Sequence, residues 1–95
     1  MTKKEILNFL FTHKQELQNR YAFTKIGLFG SYAKDTQSEN SDIDIVIDST
    51  KKDFFVRDDL KEYLEGVFQS KVDVGYLDSI RKFYKSKIEK DIIYV

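Results

Sequence analysis

The sequence predicts a single small α/β domain, a mixed sheet with helices largely on one face, and three observations carry that reading. Two short segments, SDIDIVID and KVDVGYL, alternate polar and apolar residues with the period of a strand. Longer stretches before, between and after them repeat apolar residues at helical spacing. The 95 residues contain no proline, and no repeat or linker-like stretch divides them, so residues 1–95 are read as one unit with a modest core.

Thr2 and Glu5 have capping-box spacing, and Ile6, Leu7, Leu10, Phe11 and Leu17 follow at helical intervals, predicting a first helix over residues 3–19. His13 lies on its polar flank, where a solvated side chain needs no further role. TKIGLF reads as a buried strand, with Ile26 and Leu28 on one face and Phe29 on the other. Gly30 ends it, residues 31–34 suit a short helical turn, and the polar segment 35–40 an exposed loop.

The next strand is expected from Asp42 to Asp48. Its Ile43, Ile45 and Ile47 face demands a helical cover, whereas its aspartate face demands solvent or ligands. A helix over residues 53–69 supplies the cover through Val56, Leu60, Tyr63 or Leu64, and Val67, with Asp53, Asp58 and Asp59 near its positive end. In the third strand Val72, Val74 and Tyr76 share one face and Asp73 takes the other. Asp78 or Ser79 can cap a last helix that buries Ile80, Phe83, Tyr84 and Ile88 and exposes Lys82, Lys85, Lys87 and Lys90. The final Ile92–Val95 suits a short strand or a fraying helix.

Composition narrows the function classes. Sixteen basic residues balance sixteen acidic ones, so no global field favours nucleic acid, and anion binding has to be local. Without cysteine there is neither a thiolate metal site nor a cysteine nucleophile, which fits a reducing interior. The opening residues do not form a signal peptide and no apolar run is long enough for a membrane span, so a cytoplasmic protein is expected.

The chemistry concentrates in LFGSYAKDTQSENSDIDIVI. Asp42 and Asp44 project from the same strand face about 7 Å apart, where like charges repel unless a cation lies between them. If the strand carrying Asp73 is their neighbour, three carboxylates border the Gly30–Ser31 turn. Hard oxygen ligands select Mg2+ or Mn2+. Gly30 allows backbone to approach a phosphate closely, and Ser31, opening a helical turn, can donate to it. A solvated sheet face accounts for any one aspartate alone; it does not account for the aspartates together with the Gly–Ser turn at this spacing. Tyr32 suits packing beneath the loop better than stacking on a base.

GSYAKD, then SDID, then a later strand aspartate together resemble the minimal nucleotidyltransferase (MNT) family of the DNA-polymerase-β-like superfamily, and the likeness runs over nearly the whole chain. The family usually has arginine and glycine where this sequence has Lys34 and Asp35. Lysine keeps the charge without the bidentate fork, and Asp35 tolerates a left-handed backbone at some cost. The resemblance implies the nucleotidyltransferase fold and transfer of a nucleoside monophosphate, AMP from ATP in the first instance, to a hydroxyl. Asp42 and Asp44 would bind the metals. Asp73 would hold the metal nearest the acceptor and assist its deprotonation. Gly30 and Ser31 would hold the outgoing phosphates, with Lys34 as an additional contact.

The same resemblance implies a HEPN-domain protein as partner, in toxin–antitoxin modules where the MNT chain neutralises it, in some cases by adenylylating a tyrosine. The short chain fits an acceptor supplied by a partner better than a small-molecule acceptor, which would need a second substrate domain. The alternative is a nucleotide-binding or inactive module that neutralises a HEPN protein by docking. Self-association is compatible with either.

Overall fold

The computed structural model describes the whole chain apart from the side chains of residues 84–87. Helix α1 (Lys3–Tyr21) starts at the expected capping box, Thr2 Oγ1 accepting from the Glu5 amide at 3.2 Å and Glu5 Oε1 from the Thr2 amide at 3.1 Å. It buries Ile6, Leu10, Leu17 and Tyr21. Phe11 does not join that stripe and is 72 % exposed. One residue past Leu10, it lies about 100° further round the helix. Phe9 packs inward instead, its ring edge-on to Phe68 at 5.4 Å between centroids.

Strand β1 (Lys25–Phe29) leads into the one-turn helix α2 (Gly30–Ala33), and β2 (Ile43–Asp48) returns antiparallel to β1. Helix α3 (Phe54–Phe68) then crosses to β3 (Val72–Tyr76), which pairs parallel with β2. Helix α4 (Leu77–Glu89) leads to β4 (Ile93–Tyr94), antiparallel to β1, giving the sheet order β3-β2-β1-β4. A parallel pair requires a crossover, and α3 is that crossover. The terminal segment thus forms a short strand, with the Val95 amide donating to the Ile26 carbonyl at 3.1 Å.

The main core lies between one sheet face and helices α1 and α3, where Ile43, Ile45 and Ile47 meet Leu60, Leu64 and Phe68. Tyr32 is buried there too, as packing beneath the loop requires. Asp53 caps α3, its Oδ1 accepting from the Phe55 and Val56 amides. At the far end Val67 is 38 % exposed and Phe68 closes the stripe in its place.

Helix α4 departs from expectation in three ways. It begins at Leu77 straight off β3 with Tyr76 at the cap position, so neither Asp78 nor Ser79 caps it. Leu77 is buried and draws the chain inward at once, leaving Asp78 in the first turn with its Oδ2 2.8 Å from Lys52 Nζ. Phe83 is 77 % exposed, and Ile80 with Ile88 provides the apolar contact. Finally, α4 packs on the aspartate face, where Val46, Leu77, Ile80 and Ile92 form a second small cluster. Val46 explains this, because it alternates onto that face between Asp44 and Asp48 and requires apolar cover. The expectations for Tyr84, Lys85 and Lys87 lie outside the described side chains. Among the described residues no helix is long and apolar enough to cross a membrane.

Candidate active site

The site forms where β1 ends. Gly30 has φ 75°, in the left-handed region open to glycine. Its Cα faces the Asp44 side chain so closely that an added Cβ would strike Oδ2 and lie 3.0 Å from Cγ. Helix α2 then turns the chain away, and the loop is tied back by the Thr36 amide, which donates to the Ser31 carbonyl at 2.9 Å. Glycine is therefore demanded twice, by its own backbone and by the carboxylate beside it.

Asp44 stands opposite Phe29 on β1 and Asp73 on β3. Adjacent strands lie about 4.8 Å apart, so the Asp44 and Asp73 side chains rise from neighbouring positions on one face. Asp44 is half-buried, and burial first, then the Asp73 and Asp42 charges, push its carboxyl up to about 6. Asp73 is exposed. Asp42 falls one residue before β2, exposed, rather than opening the strand as expected. The expected ring of three carboxylates is thus a cross-strand pair with Asp42 flanking it.

A cavity of about 320 Å³ opens between this pair and α4, bounded by Gly30, Asp44 and Asp73 on one side and by Phe29, Gly75, Ile80 and Ile88 on the other. Asp42 borders a separate groove of about 340 Å³ that it shares with Asp73. Asp73 therefore faces both spaces. Ser31 follows Gly30 in α2 without bordering the cavity, and Lys34 is directed elsewhere, its Nζ 3.3 Å from Asp91 Oδ2. The apolar wall was missing from the sequence reading. Gly75 could have been placed by alternation from Asp73, but Ile80 and Ile88 reach the site only because α4 folds over Val46.

The donor set suits a hard divalent cation. Among the described residues no three His, Cys, Asp or Glu side chains converge tightly enough to cage an ion unaided. Magnesium does not need such a cage, since it is commonly held by one or two carboxylates, with waters and substrate phosphates filling its octahedron. Asp44 and Asp73 fit that minimal set. Burial first, and then the Asp73 and Asp42 charges, disfavour the ionised Asp44 carboxyl, and a cation beside it would offset both.

A sheet that sets a glycine turn against paired strand carboxylates belongs to a class of arrangement whose chemistry suits phosphate groups and a divalent cation. Within that class the chain belongs to the nucleotidyltransferase domain family, whose model matches residues 11–95. It is 41 % identical over 96 residues to a Methanocaldococcus jannaschii chain, MJ0126, provisionally named a protein adenylyltransferase, covering 99 % of this chain and 98 % of the relative. It is 32 % identical to the protein adenylyltransferase MntA of Thermococcus cleftensis, covering 100 % and 97 % of the two chains.

Among solved structures, it resembles a toxin–antitoxin structure with AMP-PNP at 31 % identity and TM-score 0.61, over 83 % of this chain and 60 % of that one. A tri-AMPylated Shewanella oneidensis HEPN toxin in complex with its MNT antitoxin shares the fold at TM-score 0.69 and 21 % identity, over 98 % and 71 %.

Proposed function

We propose that residues 1–95 act as one metal-dependent nucleotidyltransferase domain, an antitoxin that moves AMP from ATP to a hydroxyl on a partner HEPN toxin in the cytoplasm. The observation that carries this reading is the pairing of Asp44 with Asp73 beside Gly30. Three requirements of the reaction then meet in one place: a glycine turn for the departing phosphates, a half-buried carboxylate for the metal, and an exposed carboxylate facing the acceptor. The protein adenylyltransferase names of full-length relatives and the HEPN–MNT complex among structures of this fold support the same assignment.

In this reaction the acceptor oxygen attacks the α-phosphorus, the bond from that phosphorus to the β-phosphate oxygen breaks, and pyrophosphate leaves. Asp44 and Asp73, with Asp42 flanking them, would hold Mg2+ or Mn2+, whose charge, when bound, would offset that developing on the phosphate oxygens. Asp73 takes up the acceptor side and receives the hydroxyl proton. Gly30 and Ser31 receive the departing phosphates through backbone and hydroxyl donors. Lys34, turned to Asp91, is a phosphate contact only if that pair opens.

The orientation of Lys34 favours one second reading, a docking module that neutralises the HEPN protein without transfer. Incubation of the pure chain with ATP, Mg2+ and the HEPN partner, followed by intact-mass measurement, decides between them. An AMP adduct on the partner is the expected result; a neutralised partner of unchanged mass would establish docking.

A further inference from the structure

Helix α2 is a single turn, and Lys34 follows it at the cap position, its amide 3.2 Å from the Gly30 carbonyl. A side chain on a helical turn leans back over the turn before it, so the ordinary place for the Lys34 ammonium group is over Gly30 and Ser31. Lys34 does not border the cavity, however, and its Nζ lies 3.3 Å from Oδ2 of Asp91, in the turn between α4 and β4. The Asp91 amide in turn donates to the Ile88 carbonyl at 3.0 Å. Gly30 and Ile88 line the two sides of the cavity. The ion pair therefore ties the glycine turn to the far end of α4, one hydrogen-bonded step from each wall.

The charges around it give this contact a consequence for phosphate. Among the described residues that line the cavity, the only charged ones are Asp44 and Asp73, both negative, so a polyphosphate meets no cationic side chain there. Lys34 and Asp91 are each other's sole ionic partners among the described residues. We propose that Asp91 is a regulatory residue that holds Lys34 away from the phosphate turn, and that the triphosphate of a bound nucleotide displaces it, exchanging a carboxylate for phosphate oxygens on one ammonium group and untying the end of α4.

The inference rests on the reading above, in which Gly30 and Ser31 take the departing phosphates. The exchange is feasible because the pair is weak. Its side chains are 54 % and 40 % exposed, and such a pair is worth about two- to five-fold in an equilibrium constant. A triphosphate offers the same ammonium group several oxygens and more than one charge.

Asp91→Asn frees Lys34 at nearly constant side-chain size. Titrated by calorimetry with AMP-PNP and Mg2+, the full chain carrying Asp91→Asn should bind about two- to five-fold more tightly than the parent. AMP, which has no β- or γ-phosphate for the turn to take, should show no gain. Removing a negative charge also favours any anion nearby, and Lys34→Gln separates that effect from the latch: in a Lys34→Gln background, Asp91→Asn should add nothing. The side-chain carboxyl carbon of Asp91, followed by NMR in the parent, should move on addition of AMP-PNP towards its position in Lys34→Gln.

Equal affinity of the parent and Asp91→Asn for AMP-PNP, absence of binding by both included, overturns the proposal. So does a gain that survives in the Lys34→Gln background, a gain of the same size for AMP, or an Asp91 resonance that AMP-PNP leaves in place. The transferase reading is scored separately by mass, with ATP and the HEPN partner. A gain in nucleotide affinity without an AMP adduct from the parent would refute transfer and leave the latch standing; an adduct without the gain would do the reverse.

Discussion

Gly30 lies against the carboxylate of Asp44, with no room between them for even a methyl group. The contact joins the end of β1 to the start of β2 and fixes where the half-buried carboxylate can stand. Gly30→Ala should therefore act twice. The left-handed backbone costs about 1–2 kcal/mol for a non-glycine residue, and the new Cβ must push Asp44 aside. A displaced catalytic group of this kind typically costs on the order of 10²-fold in rate. Thermal unfolding and AMP incorporation, measured together, should show a modest loss of stability beside a much larger loss of transfer. Full activity in Gly30→Ala would mean that Asp44 need not stay where it is.

Asp44 also makes the stability of the metal-free chain depend on pH. Because folding pushes its carboxyl up to about 6, the native state holds the proton more tightly than the unfolded chain does. The stabilisation is complete below the ordinary carboxylate range and is lost as pH rises through about 6. For a half-buried group the loss should be about 1–2 kcal/mol after allowance for solvent screening. In the presence of a chelator, Asp44→Asn should be the more stable protein at pH 7.5 and should lose that advantage near pH 4. Urea unfolding at the two pH values checks it. A variant less stable than the parent at pH 7.5 would show that the carboxylate is already compensated.

Mg2+ should reverse this ranking, since a ligand that binds only the native state raises its stability. The parent should gain in thermal midpoint with Mg2+ and more with Mg2+ and ATP together, whereas Asp44→Asn should gain little from either. Equal shifts in the two proteins would place the ion elsewhere.

Asp35 has φ 57°, unusual for a residue with a side chain. Its carboxylate lies 3.6 Å from Lys3 Nζ, an exposed pair that offsets little of the backbone cost. Asp35→Gly should raise stability by about 0.5–1 kcal/mol, while Lys3→Ala should leave it nearly unchanged. Chemical denaturation distinguishes the two. Destabilisation by Asp35→Gly would show that the aspartate side chain holds the loop.

These residues also mark how far the sequence could be read. Strand alternation set Asp42 and Asp44 on one face of their strand and Asp73 apart from the valines of its own, because that signal is local and periodic; that the two strands are neighbours was only a condition in the sequence and is met by the parallel pairing of β2 with β3. The capping boundary of α1 was legible for the same reason. The role of α4 was not. Its path over Val46 depends on burial between residues some thirty positions apart, and an apolar residue on a polar face reads equally well as exposed. Phe11 and Phe83 failed for a related reason, since a phenylalanine at the margin of a helical stripe carries no local sign of which way it faces. Asp42 was displaced by a single residue at a strand end, where boundaries are least determined.

The last prediction separates transfer from docking and turns on the position of Asp73. It is exposed, shares one cavity with Asp44 and Gly30, and shares the edge groove with Asp42. Removing its charge leaves the Gly30 turn and Asp44 in place, so Asp73→Asn should keep most of the affinity for ATP and Mg2+. Transfer should nevertheless fall by roughly 10²-fold or more, because proton removal and acceptor-side charge stabilisation are lost together. The two quantities are measured on the same preparation, nucleotide affinity by calorimetry and AMP adduct by mass. If the chain instead neutralises its partner by docking alone, Asp73→Asn should form the same complex and protect as well as the parent, with no adduct from either protein. Undiminished transfer by Asp73→Asn would refute the acceptor-side role.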